Sequence, residues 1–518
     1  MGVYADAPRA QSNLPAAFLI FAVVLAGLLW LHGNRLVFNG DEGLILDTAN
    51  RMLHGETLYR DFFGLMSPGS YWLQLGAFHL FGVSHWAGRV PVIFDFALQC
   101  GFVFWLTARL AGRAAGLIAA CLFFAFQAPP SDYLLSQHRM DSGALALASV
   151  AVCLEGHARG RVWLWAAAGV LIGAASICTP SMALLAFVTC GWLCIGRERR
   201  QFLFAWTGGL AAVLGATAIA LVASGSFMLF IKQMIWLRRN YSGVNIMPYG
   251  AIIGGYHAVI GTASGVQLAV RLFAILWHAL PALLPPVTLV AWGLQMLRNR
   301  QARSFALAND VPFLLAIVVA LVASAFPRPD LAHLAFVAAL PTALTGACIA
   351  RYAPRVPAIC LLAILAAWGS VSLAQVASDL RTEVAVATPV GTLYSAPANA
   401  AELNRLLREV HPNDTLYVHP YNPMLYFLSQ TKNPTRYAYL FPGMMTRDDE
   451  RSTLMDLKSS PPEWLLYLPV GREGFLRVFP HGVNLDYQFH SIEAFIAREY
   501  TPVEPAVVVA DYRLYQRR

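Results

Sequence analysis

Long runs of apolar residues restrict what this chain can fold into more than any other feature. The first, Ala16 to Leu31, reads AAFLIFAVVLAGLLWL. A helix needs roughly 20 mostly apolar residues to cross the hydrocarbon core of a bilayer. On that measure crossings are expected at about 15 to 32, 86 to 109, 113 to 128, 141 to 155, 162 to 178, 181 to 196, 204 to 224, 269 to 296, 311 to 326, 331 to 350 and 357 to 377. Composition agrees: 57% of the 518 residues are hydrophobic and only 13% charged, with a mean hydropathy of +0.54. The chain reads as a mainly α, polytopic membrane protein of about 11 transmembrane helices rather than a soluble enzyme.

The arginines supply a direction. With the N-terminus cytoplasmic, alternate loops collect Arg109 and Arg113, then Arg159 and Arg161, then Arg197, Arg199 and Arg200, then Arg298, Arg300 and Arg303, then Arg351 and Arg355. This is the positive-inside pattern. The net charge of +8 therefore reports topology and not a nucleic-acid partner. The basic N-terminus and first apolar run read as an uncleaved anchor, since no small-residue cleavage site follows at Leu31 to Phe38. All eight cysteines fall within or at the ends of apolar runs, so neither a disulfide nor a thiolate metal site is expected.

Three regions stand outside the apolar runs. The first outer loop, 33 to 85, holds FNGDEGLILDTANRMLHGETLYRDFFGLMSPGSYW. Leu44, Leu46, Ala49, Met52 and Leu53 recur at helical spacing, which predicts a short helix along the membrane surface; a second is expected from Tyr71 to Phe81 after the SPG breaker. The second outer region, 225 to 268, mixes apolar residues, glycines and the cations Lys232, Arg238 and Arg239, the composition of an interfacial helix and a loop that could cover a lipid-facing site. From about 380 a soluble tail begins. Strand-like runs at Thr415 to Pro420, Glu463 to Pro469 and Ala506 to Tyr515 alternate with helical stretches at Ala400 to Val410 and Met424 to Ser429, which predicts a small α/β domain. The organisation expected is thus 1–379 in the membrane and 380–518 outside it, on the Asp41 side.

Asp41 and Glu42 are adjacent carboxylates just beyond the first run, where general-base chemistry on a lipid-borne substrate could be done. Each candidate also has a plainer reading. Asp41 could simply cap the helix that follows. Arg89, at the outer start of the second run, could be a snorkelling anchor. His138, Arg139 and Asp141 open another run; His138 and Asp141 share a helix face, and ionisable groups are costly inside a membrane, but Asp in a first turn is also favoured by the helix dipole. Arg328, Asp330 and His333 lie in FPRPDLAH, where Arg328 either braces the turn against Asp330 or holds an anion. Lys232, Arg238 and Arg239 could grip a substrate phosphate or only lipid headgroups.

Taken in order, Asp41-Glu42, GETLYRDFF, SPGSYWLQLGAFHLFG, WAGRVP at 86–91, FPRPDLAH at 326–333 and YNPMLYFLSQTKNPTRY at 421–437 resemble the polyprenyl-phosphate-sugar-dependent membrane glycosyltransferases of the GT-C superfamily. Within that superfamily the resemblance is to the protein O-mannosyltransferases (glycosyltransferase family 39) and the lipid A aminoarabinose transferases. The resemblance implies a GT-C fold and an enzyme of the bacterial inner membrane. It would move one sugar from a polyprenyl-phosphate donor to a lipid, polysaccharide or protein acceptor, with inversion. It implies Asp41 as the base and Glu42 as the group that orients the acceptor or tunes Asp41. It puts Arg89 near the donor phosphate or the catalytic carboxylate, Arg328 and His333 on the phosphate, and the residues at 138–141 and the cations at 232–239 along the cavity. No cofactor is implied, and a catalytic metal is not expected, although Asp41 with Glu42 could hold a divalent ion. Two other classes stay open: a polysaccharide polymerase or ligase using polyprenyl-diphosphate oligosaccharides, and a lipid-linked-sugar transporter, which should show internal repeats.

Overall fold

The computed structural model describes residues 13–128, 134–196, 199–253, 255–298, 310–441 and 443–518. Arg197, Arg300 and Arg303, counted above among the inner cations, lie outside the described residues. Helix α1 (Leu14–His32) leads through two short helices, α2 (Gly40–Leu53) and α3 (Pro68–Phe81), into α4 (His85–Ala111). Then come α5 (Arg113–Gln127), α6 (His138–Arg159), α7 (Val162–Cys178), α8 (Ala183–Ile195) and α9 (Leu203–Ala223). The second loop region holds α10 (Phe227–Trp236), a wide π turn over Leu237–Tyr241, α11 (Ser242–Val244) and α12 (Gly255–Ile260). The bundle closes with α13 (Gly265–His278), α14 (Leu280–Arg298), α15 (Asp310–Ser324), α16 (Leu331–Ala335), α17 (Ala339–Tyr352) and α18 (Arg355–Thr382).

Among the described residues five helices are long and apolar enough to cross a membrane: α1, α4, α9, α14 and α18. Shorter apolar helices, α5, α7, α8, α13 and α15, pack among them. Two of the expected crossings are broken. The run at 269 to 296 is α13 and α14, because Pro281 has no N–H to donate to Trp277 and so can only begin a helix. The run at 331 to 350 is α16 and α17, with Pro341 in the first turn of the second.

Beyond α18, β1 (Val384–Thr388) and β2 (Gly391–Ser395) form an antiparallel hairpin that the sequence pattern did not reveal. The remaining elements are α19 (Pro397–Glu409), β3 (Leu416–His419), α20 (Met424–Ser429), α21 (Arg447–Ser459), β4 (Trp464–Tyr467), α22 (Arg472–Val478), α23 (His490–Glu499), β5 (Tyr500–Pro502), β6 (Val508–Val509) and β7 (Tyr512–Arg517). The sheet runs β3-β4-β7-β5, with β6 also on β7; β3 and β4 are parallel and the other pairs antiparallel. The stretch Ala506 to Tyr515, expected as one strand, turns back on itself at Ala510 and Asp511, both at positive φ, which is the conformation of a two-residue hairpin turn.

The C-terminal region is fused to the first loop region rather than tethered to it. Leu46, Ala49 and Phe78 share one apolar core with Leu416, Val418, Met424 and Phe427, and Leu44 and Phe63 share another with Tyr417 and Leu465. Each fully buried side chain of this size is worth about 1.5–3 kcal/mol. Backbone bonds reinforce the join: Leu36 N–H donates to Tyr394 and Tyr394 N–H to Asn34, both at 2.8 Å. Helix α2 is therefore not the half-exposed surface helix its periodicity suggested. Residues 42 to 49 are all buried, and the polar Asp47 and Thr48 with them, because the C-terminal region covers the face that was expected to meet solvent.

Candidate active site

Asp41 stands at the start of α2, but it does not cap that helix. Asn39 does: its side-chain oxygen accepts from the N–H groups of Asp41 at 2.9 Å and Glu42 at 3.1 Å. The Asp41 side chain is thereby left exposed at a helix N-terminus, where the dipole favours a carboxylate. Its Oδ1 accepts a hydrogen bond from the Tyr421 hydroxyl, and Oδ2 has no partner among the described residues.

Glu42, one residue on, points the other way. It is fully buried and paired with Arg89, whose Nε lies 2.5 Å from Oε1 and whose Nη2 donates to Oε2 at 2.9 Å. The Ser136 N–H adds a bond to Oε1 at 3.3 Å. Arg89 itself is fully buried, with Nη1 on the Leu134 carbonyl at 3.0 Å and on His32 Nε2 at 2.5 Å. Burial pushes the Glu42 carboxyl up and the Arg89 charge opposes it; Asp41 is not the cause. Two expectations change. Glu42 cannot touch an acceptor from this position, and every guanidinium edge of Arg89 that is occupied serves protein, so the donor phosphate would have to be held elsewhere. Nor do Asp41 and Glu42 converge on a point that could hold a divalent ion; among the described residues no group of three or more His, Cys, Asp or Glu is arranged to do so.

A cavity of about 450 Å³ lies between the first turn of α6, the start of α8 and the π turn after α10. Of the expected site residues, His138, Arg139 and Arg238 line it, joined by Tyr241, Ser67, Thr179 and Ser181. His138 is oriented by Thr179 (Nδ1 to Oγ1, 2.8 Å), and Arg139 Nη1 donates to the Ser324 carbonyl at 3.2 Å. The buried Nε–H of Arg139 has no acceptor among the described residues. Arg238 is exposed and has no ion-pair partner among the described residues, so two guanidiniums face this space with donors to spare. Lys232 and Arg239 are also exposed but stand off the cavity. Asp141 does not reach it either: it is buried inside the bundle.

The FPRPDLAH loop supports the plainer reading of its ion pair. Arg328 Nε donates to Asp330 Oδ2 at 2.8 Å and Nη1 to Asn245 Oδ1 at 2.5 Å, which ties the loop to the second loop region. Asp330 also caps α16 through the His333 N–H and accepts from His333 Nδ1 at 2.6 Å. Burial works against the Asp330 carboxylate, yet the hydrogen bond and charge of His333, with Arg328 behind them, bring it down to about 2. His333 is held below its ordinary range by burial and then by Arg139. A neutral His333 that gives its Nδ1 proton to Asp330 has only a lone pair at Nε2, so it offers a phosphate nothing until it is protonated. Arg328 keeps one guanidinium nitrogen, Nη2, without a protein partner among the described residues and remains the open cation of this loop.

Tyr241 joins the two sides. Its buried phenol feels Arg328, Arg139 and Asp41 together, and Tyr439 feels Tyr241, Asp41 and Arg328. Burial drives both phenols up, so both stay protonated as donors. Asp41, the Tyr241–Tyr439–Tyr421 cluster and the cations Arg139 and Arg328 thus form one electrostatic neighbourhood. Tyr241 and Asn245 were not singled out by sequence; the tail aromatics Tyr417, Tyr421, Tyr426, Tyr437 and Tyr439 could be read either as helping to choose the acceptor or as core, and Tyr417 and Tyr426 are core.

No protein-family model matches the chain, and no curated protein matches it by sequence. Solved structures do resemble it. ArnT from Cupriavidus metallidurans bound to undecaprenyl phosphate aligns over 98% of both chains at 14% identity with a TM-score of 0.45. The archaeal oligosaccharyltransferase AglB from Archaeoglobus fulgidus, in complex with an inhibitory peptide and a dolichol-phosphate, aligns over 88% of this chain and 69% of its own at 12% identity with a TM-score of 0.50. The chain shares the fold of that oligosaccharyltransferase.

Proposed function

We propose that this protein is a GT-C glycosyltransferase that moves a sugar from a polyprenyl-phosphate donor to an acceptor hydroxyl at the membrane surface. The observation that carries the reading is an exposed carboxylate, Asp41, whose charge reaches the same phenol, Tyr241, as the charges of the cations Arg139 and Arg328. A polyprenyl-phosphate sugar needs both: a base for the acceptor proton and cations for the departing phosphate. The dolichol-phosphate held by AglB supports the donor class.

In this mechanism the acceptor oxygen attacks the anomeric carbon while its proton passes to Asp41 Oδ2. The bond from that carbon to the phosphate oxygen breaks, and its electron pair leaves with the polyprenyl phosphate, whose charge is taken by Arg139, Arg238 and Arg328. A single displacement inverts the anomeric centre. No metal is required by this residue set, and dialysis against a chelator is expected to leave transfer intact. Glu42 and Arg89 act at a distance, by fixing the start of α2 against α4. Residues 380–518 are read as periplasmic and the N-terminus as cytoplasmic, in a bacterial inner membrane. The topology is supported by the gathering of Arg109, Arg159 and Arg351 at one end of the bundle, where Arg109 and Arg159 share Glu155 and Arg351 meets the Leu110 carbonyl.

The test is transfer of labelled sugar from a panel of polyprenyl-phosphate sugars to membrane extracts by the purified protein and by Asp41→Asn. A fall of about 10²-fold or more in a folded variant is expected of a lost general base. Undiminished transfer by Asp41→Asn would remove Asp41 from the chemistry. Transfer from diphosphate-linked oligosaccharides alone would make the protein a polymerase or ligase.

A further inference from the structure

The contact between Tyr421 and Asp41 joins residues 380 positions apart, and several features of the chain exist to make it. Tyr421 follows β3 directly, and its backbone carbonyl accepts the Tyr512 hydroxyl at 2.5 Å, which fixes it to the neighbouring β7. Its ring lies on Gly40: a Cβ there would come within 2.6 Å of the ring. Three residues on, a Cβ at Gly43 would fall 2.0 Å from the backbone nitrogen of Met424. The two glycines of Gly40-Asp41-Glu42-Gly43 thus bracket the carboxylates so that the segment Tyr421 to Met424 can lie against the helix start. Tyr439 packs against the Tyr421 ring at 4.6 Å between centroids and closes the cluster from the far side.

We infer that Tyr421 is a positioning residue for Asp41, delivered by the C-terminal region: its hydroxyl holds Oδ1 and so turns Oδ2 toward the acceptor. The inference rests on the reading of Asp41 as the base. An exposed Asp side chain otherwise rotates among its rotamers, and a base must meet the acceptor proton within hydrogen-bond reach. The donor is secure, because burial and the neighbouring Asp41 charge keep the Tyr421 phenol protonated. The C-terminal region is then half of the active site and not an accessory, whatever it also does for the acceptor.

Tyr421→Phe tests this with little risk to folding, since the ring on Gly40 is kept. The readout is transfer, where kcat is expected to fall about tenfold with the donor KM unchanged, as for a group that acts only in the transition state. In the Asp41→Asn background, which has no carboxylate to orient, Tyr421→Phe is expected to cost no further rate, whereas a purely structural loss would add to it. An unchanged kcat in Tyr421→Phe overturns the inference, as does a further loss in the double variant. Intact transfer in Asp41→Asn is a different failure: it removes the base assignment itself.

Discussion

Between α1 and the first turns of α4 most charged side chains are held in ion pairs, one pair fully enclosed, whereas between α9 and α13 they are exposed and, among the described residues, without ion-pair partners. Glu42 and Arg89 are completely enclosed, and Arg51 is divided between Glu56 and the Phe62 ring. Lys232, Arg238 and Arg239 have no ion-pair partner among the described residues. Desolvating a charge is costly and is compensated only by close partners, so the first region can exist only as a fixed structure. The cations of the second give up no ion pair among the described residues if it moves. Under the proposed function a base must be fixed relative to the bond it serves while a lipid-borne donor must enter and leave, and the two loop regions would divide those needs.

The strongest way to break this comparison is to remove one member of the buried pair. Arg89→Ala leaves the Glu42 carboxylate enclosed without its partner, which is expected to destabilise the fold by about 3–5 kcal/mol. Thermal unfolding in detergent reads this directly. A double substitution of Arg89 and Glu42 by methionine should recover much of the loss, because nothing charged then remains buried. If Arg89→Ala melts like the unaltered protein, the first region is not the fixed element described here.

Asp47 sharpens the comparison through pH. It is enclosed in α2 with Oδ2 unpartnered, and burial raises it from its ordinary 3.8 to about 7, with Arg51 only partly opposing. The folded protein therefore keeps a proton that the unfolded chain releases. Stability is lost as pH rises from about 4 to about 7 and is then level, a penalty on the order of 4 kcal/mol. Asp47→Asn should melt higher than the parent at pH 8, and the gap should shrink toward pH 4. A gap that does not vary with pH would mean that Asp47 is ionised in the fold.

Gly43→Ala is expected to cost less, about 1–3 kcal/mol, as overpacking does. Its Cβ meets backbone at Met424 and not a flexible side-chain end, so α20 must shift. Transfer should fall further than stability, since the same shift draws Tyr421 away from Asp41. Equal losses in both would separate the packing of α20 from the site.

How much of this was legible in the sequence follows from the range of each signal. The apolar runs placed most helices because hydropathy is local, and they misplaced two because Pro281 and Pro341 interrupt runs that are apolar throughout. The strands at 416 and 464 were readable, while the β1–β2 hairpin, alternating weakly over VAVATPVGTLYS, was not. Asp41 could be found from its neighbours. Its true cap, Asn39, sits two residues earlier in the same sequence, and an Asn before Gly-Asp-Glu was available as a sign that Asp41 is spare. The pairings of Glu42 with Arg89 and of Asp41 with Tyr421 were not readable from local pattern: Arg89 is 47 positions away and Tyr421 is 380, and only the resemblance put Arg89 near a carboxylate or the phosphate. The one hint was the pair of glycines at 40 and 43, which a solvated helix start does not need.

Arg238 provides the smallest expected effect on the fold and the finest division between the two regions. It lines the cavity beside Arg139 but is exposed and forms no ion pair among the described residues. Removing an exposed, unpaired side chain should change stability by less than about 0.5 kcal/mol. A guanidinium that holds phosphate in both the ground state and the transition state supplies uniform binding, so Arg238→Ala should raise the donor KM about tenfold, some 1.4 kcal/mol, with kcat nearly unchanged. Lys232→Ala and Arg239→Ala, off the cavity, should change neither value by more than about twofold. If Arg238→Ala instead lowers kcat as Tyr421→Phe is expected to, the second region also acts in the transition state, and the division between a fixed base and a movable grip on the donor does not hold.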